Sequence, residues 1–243
     1  MKKLSVITVT YNAGKTLERT LRSVREQTHP RVEHIIVDGE SKDGTVALIR
    51  RYENRAMHWI SEPDNGLYDA MNKAAAMATG DYLCFLNAGD TFFSEETVEK
   101  MMRSCREAAV LPDIIYGETA VVDNNGKFLQ MRRLKAPETL TWKSFKQGML
   151  VCHQAFIVKR ALFEPYDCSY RFSSDIDWCI RMMKKSGLIH NTHLTLIRYL
   201  NEGMTTAHRS ASLKERYRIM AKHYGGLSTF MHHLWFIVRA VVS

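Results

Sequence analysis

The sequence predicts an α/β fold with a mostly parallel sheet flanked by helices, on three observations. Short β-branched runs alternate with helical periodicity from Leu4 onward, each run stops at small or polar residues, and 243 residues fit one large domain. Leu4–Thr10 (LSVITVT) reads as the first strand, closed by the turn-rich Tyr11-Asn12-Ala13-Gly14. Leu17, Leu21 and Val24 then recur at i, i+4 and i+7, the apolar stripe of a helix. Val32–Asp38 (VEHIIVD) is a second buried strand, closed by Gly39 and the polar segment 41–44. Thr45–Tyr52 reads as a helix, Met57–Ser61 as a third strand, 67–79 as a helix stopped by Gly80, and 82–86 as a fourth strand halted at Asn87-Ala88-Gly89-Asp90. Strands joined through helices of this length run parallel, with right-handed crossovers.

After residue 90 the rhythm changes. Asn124-Asn125-Gly126, between the β-prone segments 114–122 and 127–131, signals a hairpin. A helix is expected around 137–147 and a strand at 154–158. Ser174–Lys185 follows as a helix carrying Ile176, Ile180 and Met183 on one face. Two helices close the chain, 212–224 (ended by Gly225-Gly226) and 228–242. No internal repeat or flexible linker interrupts it.

Composition narrows the class. Apolar side chains make up 45% and charged ones 25%, as in a soluble globular protein. The five cysteines are odd in number and form no CxxC pair, which fits reduced thiols in a cytosol better than a secreted disulfide framework. The net charge of +8 is localised, because residues 184–243 carry nine Lys or Arg against two Asp or Glu. Such a tail suits nucleic acid or an anionic lipid surface. Its apolar segment 234–242 is only nine residues long, well short of the about 20 that span a bilayer. With Arg216, Arg218 and Lys222 ahead of it, the segment reads either as an interfacial helix on a membrane or as a helix docked on the core or in a homo-oligomer interface.

In open α/β sheets, ligands bind beyond the carboxyl ends of the strands. Four such ends would gather Asp38, Asp64 and Asp90 around one cleft. Asp and Asn also favour turns and helix caps for purely structural reasons. Carboxylates brought together repel, so their grouping calls for a metal or for hydrogen bonding to a base and ribose.

The residues at these ends carry a resemblance. S-V-I-T-V-T-Y-N (5–12), V-D-G-E-S-K-D-G-T (37–45), E-P-D-N-G-L-Y-D-A-M-N-K (62–73), A-T-G-D-Y (78–82) and F-L-N-A-G-D (85–90) occur in that order. Together they resemble glycosyltransferase family 2, in its bacterial cell-surface polysaccharide branch. The resemblance implies a GT-A type (Rossmann-like) fold. It also implies inverting transfer from a nucleoside-diphosphate sugar, UDP-sugar favoured, to the hydroxyl of a lipid-linked or growing glycan. Residues 1–110 would then form the nucleotide-sugar-binding half, 111–205 the acceptor-binding half of the same domain, and 206–243 a basic helical tail. Thr10, Tyr11, Asn12 and Asp38 would hold base and ribose. Asp64 and Lys73 would line the donor site, Lys73 near the phosphates.

Two departures from the family pattern stand out. Asp38-Gly39-Glu40-Ser41 replaces D-D-G-S, and the metal-binding D-x-D register falls on Asn87-Ala88-Gly89, leaving Asp90 as its acid. Mg2+ or Mn2+ is expected through Asp90 and the diphosphate, with Asn87 touching the ribose or the metal. For the base that accepts the acceptor proton, the pattern D-x-D-x-x-x-R over 175–181 resembles the family's acidic motif and implies Asp175, with Asp177 in reserve. His153 and Gln154 resemble the H-Q pair lining the acceptor side. Cys152-His153 has no second pair at zinc-finger spacing.

Other classes fit less well. An NAD-dependent oxidoreductase would need G-x-G-x-x-G where Tyr11-Asn12-Ala13-Gly14 stands. A nucleic-acid binder explains the tail but none of the five motifs, so no nucleic-acid partner is expected. A non-catalytic sugar-nucleotide-binding protein is the nearest alternative. The expected setting is cytoplasmic, with peripheral contact to the inner face of the membrane through the tail.

Overall fold

The computed structural model describes residues 1–107, 111–201 and 209–232. Strand β1 (Leu4–Thr10) is buried along its whole length because it is paired on both edges and covered on both faces. It pairs in parallel with β2 (Val32–Asp38) and β4 (Tyr82–Phe85), and β2 carries β3 (Met57–Ser61) in parallel at the sheet edge. Alternate side chains of β2 serve opposite faces. Ile36 joins Leu17, Leu21, Leu48 and Ile49 from α1 (Leu17–Arg25) and α2 (Thr45–Tyr52), whereas Ile35 and Val37 join Met71 and Ala74 of α3 (Leu67–Met77) in the main core.

The sheet continues into the second half of the chain through β5 (Thr91–Phe92), β6 (Ile114–Val122), β7 (Phe128–Met131), β8 (Phe156–Lys159) and β9 (Ile189–Leu200), in the order β3-β2-β1-β4-β8-β6-β9-β5 with β7 on β6. After the short β5 (Thr91–Phe92) comes α4 (Thr97–Glu107); β6 (Ile114–Val122) and β7 (Phe128–Met131) then form the expected hairpin. Gly126 takes φ 80° in its turn, a left-handed conformation that glycine adopts without steric cost. Strand β8 (Phe156–Lys159) runs antiparallel to both β4 and β6, so the sheet is parallel over the first half and mixed beyond it. Trp178 of α5 (Ser174–Lys185) is fully buried, stacked on Tyr166 at 4.8 Å and edge-on to Phe85 at 5.4 Å.

Three elements differ from the sequence expectation. Segment 137–147 is not a helix but a loop ending in a 3-10 turn, Trp142–Gln147, with Pro137 O accepting from the Tyr116 hydroxyl at 2.8 Å. Strand β8 starts at Phe156 because His153–Ala155 forms its own 3-10 turn. Strand β9 (Ile189–Leu200), parallel to β6, stands where the sequence reading assigns no element, its sequence IHNTHLTLIRYL being broken by His, Asn and Thr. Of the tail, α6 (Arg209–Tyr224) buries Ile219 and Met220 against the core, and 226–232 is again helical. The apolar segment 234–242 and the expected boundaries at 110 and 205 lie outside the described residues. Among the described residues no helix is long and apolar enough to cross a membrane.

Candidate active site

A cleft of about 530 Å³ opens at the carboxyl ends of β1 and β4. Thr10, Tyr11, Asn87 and Asp90 line it from the first half of the chain, and His153, Gln154 and Asp175 from the second. This is the strand-end crevice expected for ligand binding in an α/β sheet.

Tight local geometry sets the first-half wall. Asn12 sits at φ 48°, with its backbone N–H donating to Ser41 Oγ at 2.7 Å and its Oδ1 accepting from the Lys42 N–H at 2.9 Å. That clamp presents Tyr11, 66% exposed, as an open aromatic face at the rim. Asp38 is fully buried below it, accepting from the Ser41 N–H at 2.9 Å and the Ser61 hydroxyl at 2.7 Å. A side chain on Gly39 would meet Asp64 Oδ2 at 2.6 Å and the Tyr11 ring at 3.4 Å, so glycine lets these three converge. Gly89, at φ 100°, leaves no room either, because a Cβ there would meet Leu200 at 2.7 Å.

Asp90 is 3% exposed, accepting from Gln154 Nε2 at 2.7 Å and from the Leu200 N–H at 2.9 Å. Burial pushes its carboxyl up to about 7, against the lowering pull of those two donors and of Arg19. Beside it, Asn87 Oδ1 is buried with no hydrogen-bond partner, and so is Thr10 Oγ1. Orphaned buried oxygens are costly, and their place in a polar cleft is where a ligand would satisfy them. One carboxylate and one free amide oxygen fit a divalent cation whose shell is completed by ligand oxygens, rather than a closed protein cage. Among the described residues no group of three or more His, Cys, Asp or Glu stands close enough to hold a metal alone.

On the opposite wall, Asp175 opens α5. Its Oδ1 accepts from the Tyr68 hydroxyl at 3.2 Å and from the Ile176 N–H at 3.0 Å. Burial and then the Asp175 charge hold the Tyr68 hydroxyl well above its ordinary range, so it stays a donor to that carboxylate. His153 is 5% exposed, bonded through Nε2 to the Tyr166 hydroxyl at 2.7 Å, and kept neutral by burial.

Two expected residues are turned away from the cleft. Asp177, two positions beyond Asp175, is fully buried between Arg181 at 2.7 Å, His223 at 2.8 Å and Lys222 at 3.0 Å. Burial alone would raise its carboxyl, but those three donors hold it well below the carboxylate range, where it is a poor proton acceptor. Its work is to anchor α6 to α5, which removes it as a reserve base. Lys73 donates to Pro63 O at 2.9 Å and pairs with Glu62 at 2.9 Å and Asp69 at 3.6 Å, which ties it down outside the cleft lining. Asn12, Asp38 and Asp64 support the rim without lining the cavity. Conversely, Tyr68, Arg132, Tyr199 and Arg216 line the cleft although sequence reasoning gave them no role in it. Tyr68 lies within the 62–73 motif. Arg216 sat in a basic tail that reads equally as a membrane contact.

The family model for glycosyl transferase family 2 matches residues 5–166. The chain belongs to that family. It is 32% identical over 184 residues to an uncharacterized glycosyltransferase of Mycobacterium tuberculosis, covering 73% of this chain and 68% of the relative. It is 30% identical over 209 residues to a PGL/p-HBAD biosynthesis glycosyltransferase of Mycobacterium bovis, covering 82% of this chain and 76% of the relative. Among solved structures, S. aureus TarS residues 1–349 in complex with UDP superposes with TM-score 0.71 at 19% identity, over 90% of this chain and 63% of that one. The chain thus spans under two thirds of that structure. The mannosyltransferase PcManGT from Pyrobaculum calidifontis, in complex with GDP-Man and Mn2+, superposes with TM-score 0.64 at 19% identity, over 91% of this chain and 64% of that one. These likenesses establish the GT-A fold, and the family makes the chain a glycosyltransferase.

Proposed function

We propose that this family 2 glycosyltransferase moves a sugar, with inversion, from a nucleoside-diphosphate sugar to an acceptor hydroxyl of a lipid-linked or growing cell-surface glycan. The observation that carries the reading is the single cleft with unsatisfied Thr10 and Asn87 oxygens on one wall and Asp175 on the other. The names of the relatives agree with it, one being a PGL/p-HBAD biosynthesis enzyme. UDP is the favoured nucleotide, since TarS has been solved with UDP and with UDP-GlcNAc.

In this reading Tyr11 offers its exposed face to the base, with Thr10 and the Asp38–Asp64 rim behind base and ribose. Asn87 and Asp90 would hold Mg2+ or Mn2+, which neutralises charge on the departing diphosphate. Asp175, oriented by the Tyr68 hydroxyl, accepts the proton of the attacking hydroxyl. His153 and Gln154 shape the acceptor side, Gln154 also fixing Asp90. The tail would carry peripheral contact with an anionic inner membrane face in the cytoplasm.

A thermal-shift series with UDP-, GDP- and dTDP-sugars, with and without Mn2+, tests the donor assignment. A ligand that binds the native state raises the melting temperature in step with RT ln(1 + [L]/Kd). A UDP-sugar should give the largest rise. No rise with any nucleotide would refute the assignment.

A further inference from the structure

Two guanidinium groups line the cleft without an acidic partner among the described residues. Arg132, just past β7, is held by backbone carbonyls: its Nη1 donates to Leu134 O and Leu150 O at 3.1 Å each, and its Nη2 to Met149 O at 2.7 Å. Carbonyls fix the direction of the charge but do not neutralise it. Arg216 projects from α6, and its Nε is buried with no hydrogen-bond partner. Glu215, next to it in sequence, accepts instead from the backbone N–H groups of Arg171 and Phe172 at 2.8 Å each. Among the described residues no salt bridge engages either arginine.

A buried donor without a partner is costly, and a guanidinium presents its donors as a planar fork matched to phosphate. Two of them lining one cleft, neither in a salt bridge among the described residues, make a place for negative charge. Arg132 and Arg216 both come from the second half of the chain, whereas Asp90 and Asn87 come from the first.

We propose that Arg132 and Arg216 form a phosphoryl-binding subsite on the second-half wall of the cleft, a proposal that rests on reading the cleft as the transfer site. The phosphoryl group is either the donor diphosphate or the phosphate of a lipid-linked acceptor. In both cases the tail helix contributes to the site and is more than a surface appendage, Arg216 being placed there by the Asp177 contacts to Lys222 and His223 further along α6.

Calorimetric titration of the full chain with uridine, UDP and farnesyl diphosphate, at fixed ionic strength, tests it. Arg216→Gln and Arg216→Lys are the variants, because Arg132 is tied into backbone contacts and its loss would disturb the loop. Thermal unfolding confirms that each variant is folded. Uridine should bind wild type and both variants alike. UDP, farnesyl diphosphate, or both should weaken about 10- to 100-fold in Arg216→Gln, the loss expected for a hydrogen bond to a charged group. Arg216→Lys should recover part of that, having the charge but not the fork. Weakening of UDP alone assigns the subsite to the donor, and weakening of farnesyl diphosphate alone assigns it to the acceptor. Undiminished binding of both diphosphates to folded Arg216→Gln overturns the subsite, as does failure of wild type to bind either. Wild type that binds farnesyl diphosphate in an Arg216-dependent way but neither uridine nor UDP would keep the subsite and remove the donor reading.

Discussion

At the amino ends of β1, β2 and β4, the buried polar groups around Glu33 are fully engaged; at the carboxyl ends of the same sheet, Thr10, Asn87 and Arg216 hold atoms with no partner. Glu33 is 2% exposed, and its carboxylate accepts from Ser5 Oγ at 2.5 Å, the Thr79 N–H at 2.7 Å, the Gly80 N–H at 2.9 Å, Thr79 Oγ1 at 2.7 Å and Lys3 Nζ at 2.5 Å. Burial would raise its pKa, but Lys3, Ser5 and Thr79 outweigh that and bring it down to about 2. At the other end burial wins, and the Asp90 carboxyl rises to about 7. Both ends bury polar side chains, yet the Glu33 cluster is satisfied from within, the orphaned His29 Nδ1 lying outside it, whereas the cleft is not. The difference marks which end stabilises the fold and which awaits a ligand, since functional sites are where local rules are broken.

Substitutions at the two ends should therefore separate binding and turnover from stability. The largest expected effect is Asp175→Asn, which should lower turnover about 10²- to 10⁴-fold, the range for a positioned base, while calorimetric donor affinity stays near wild type. Glu33→Ala should do the reverse. It strands Lys3, Ser5 and two backbone N–H groups, costing roughly 3–5 kcal/mol in urea unfolding with donor affinity unchanged.

The same carboxylate sets a pH dependence. A pKa lowered from 4.5 to about 2 means that the unfolded chain binds the extra proton between those values. The Glu33 contribution is thus present above pH 4.5 and lost as pH falls from 4.5 toward 2. The urea midpoint of wild type should drop more steeply from pH 5 to 3 than that of Glu33→Gln. The smallest effect belongs to Thr10→Val, which removes an orphaned hydroxyl at nearly constant shape. Stability should hold or rise by up to about 1 kcal/mol while donor affinity falls.

The parallel half of the fold was legible because β1, β2 and β4 are buried on both faces and read as short β-prone runs closed by turn residues. Strand β9 was not, since its side chains face mixed surroundings and its pattern lacks a run. The helix expected at 137–147 gave way to tertiary contacts such as Tyr116 to Pro137. In the candidate site, motif order singled out Thr10, Tyr11, Asn87, Asp90 and Asp175, which the fold brings to the lining of one cleft. Lys73, paired with neighbouring acids, and Asp177, covered by α6, carry motif signals too but do not line it. Contacts made across more than forty residues, like those from Asp177 to Lys222 and His223, leave no local trace in a sequence.

The most direct test of the account is a crystal structure of the full chain soaked with UDP. It predicts nucleotide density in the cleft, the base against Tyr11, the ribose by Thr10 and Asn87, and the diphosphate directed toward Asp90. UDP seated elsewhere, such as in the cavity lined by Arg19, Arg22 and Arg198, with the Thr10–Asp175 cleft left to solvent, would contradict it.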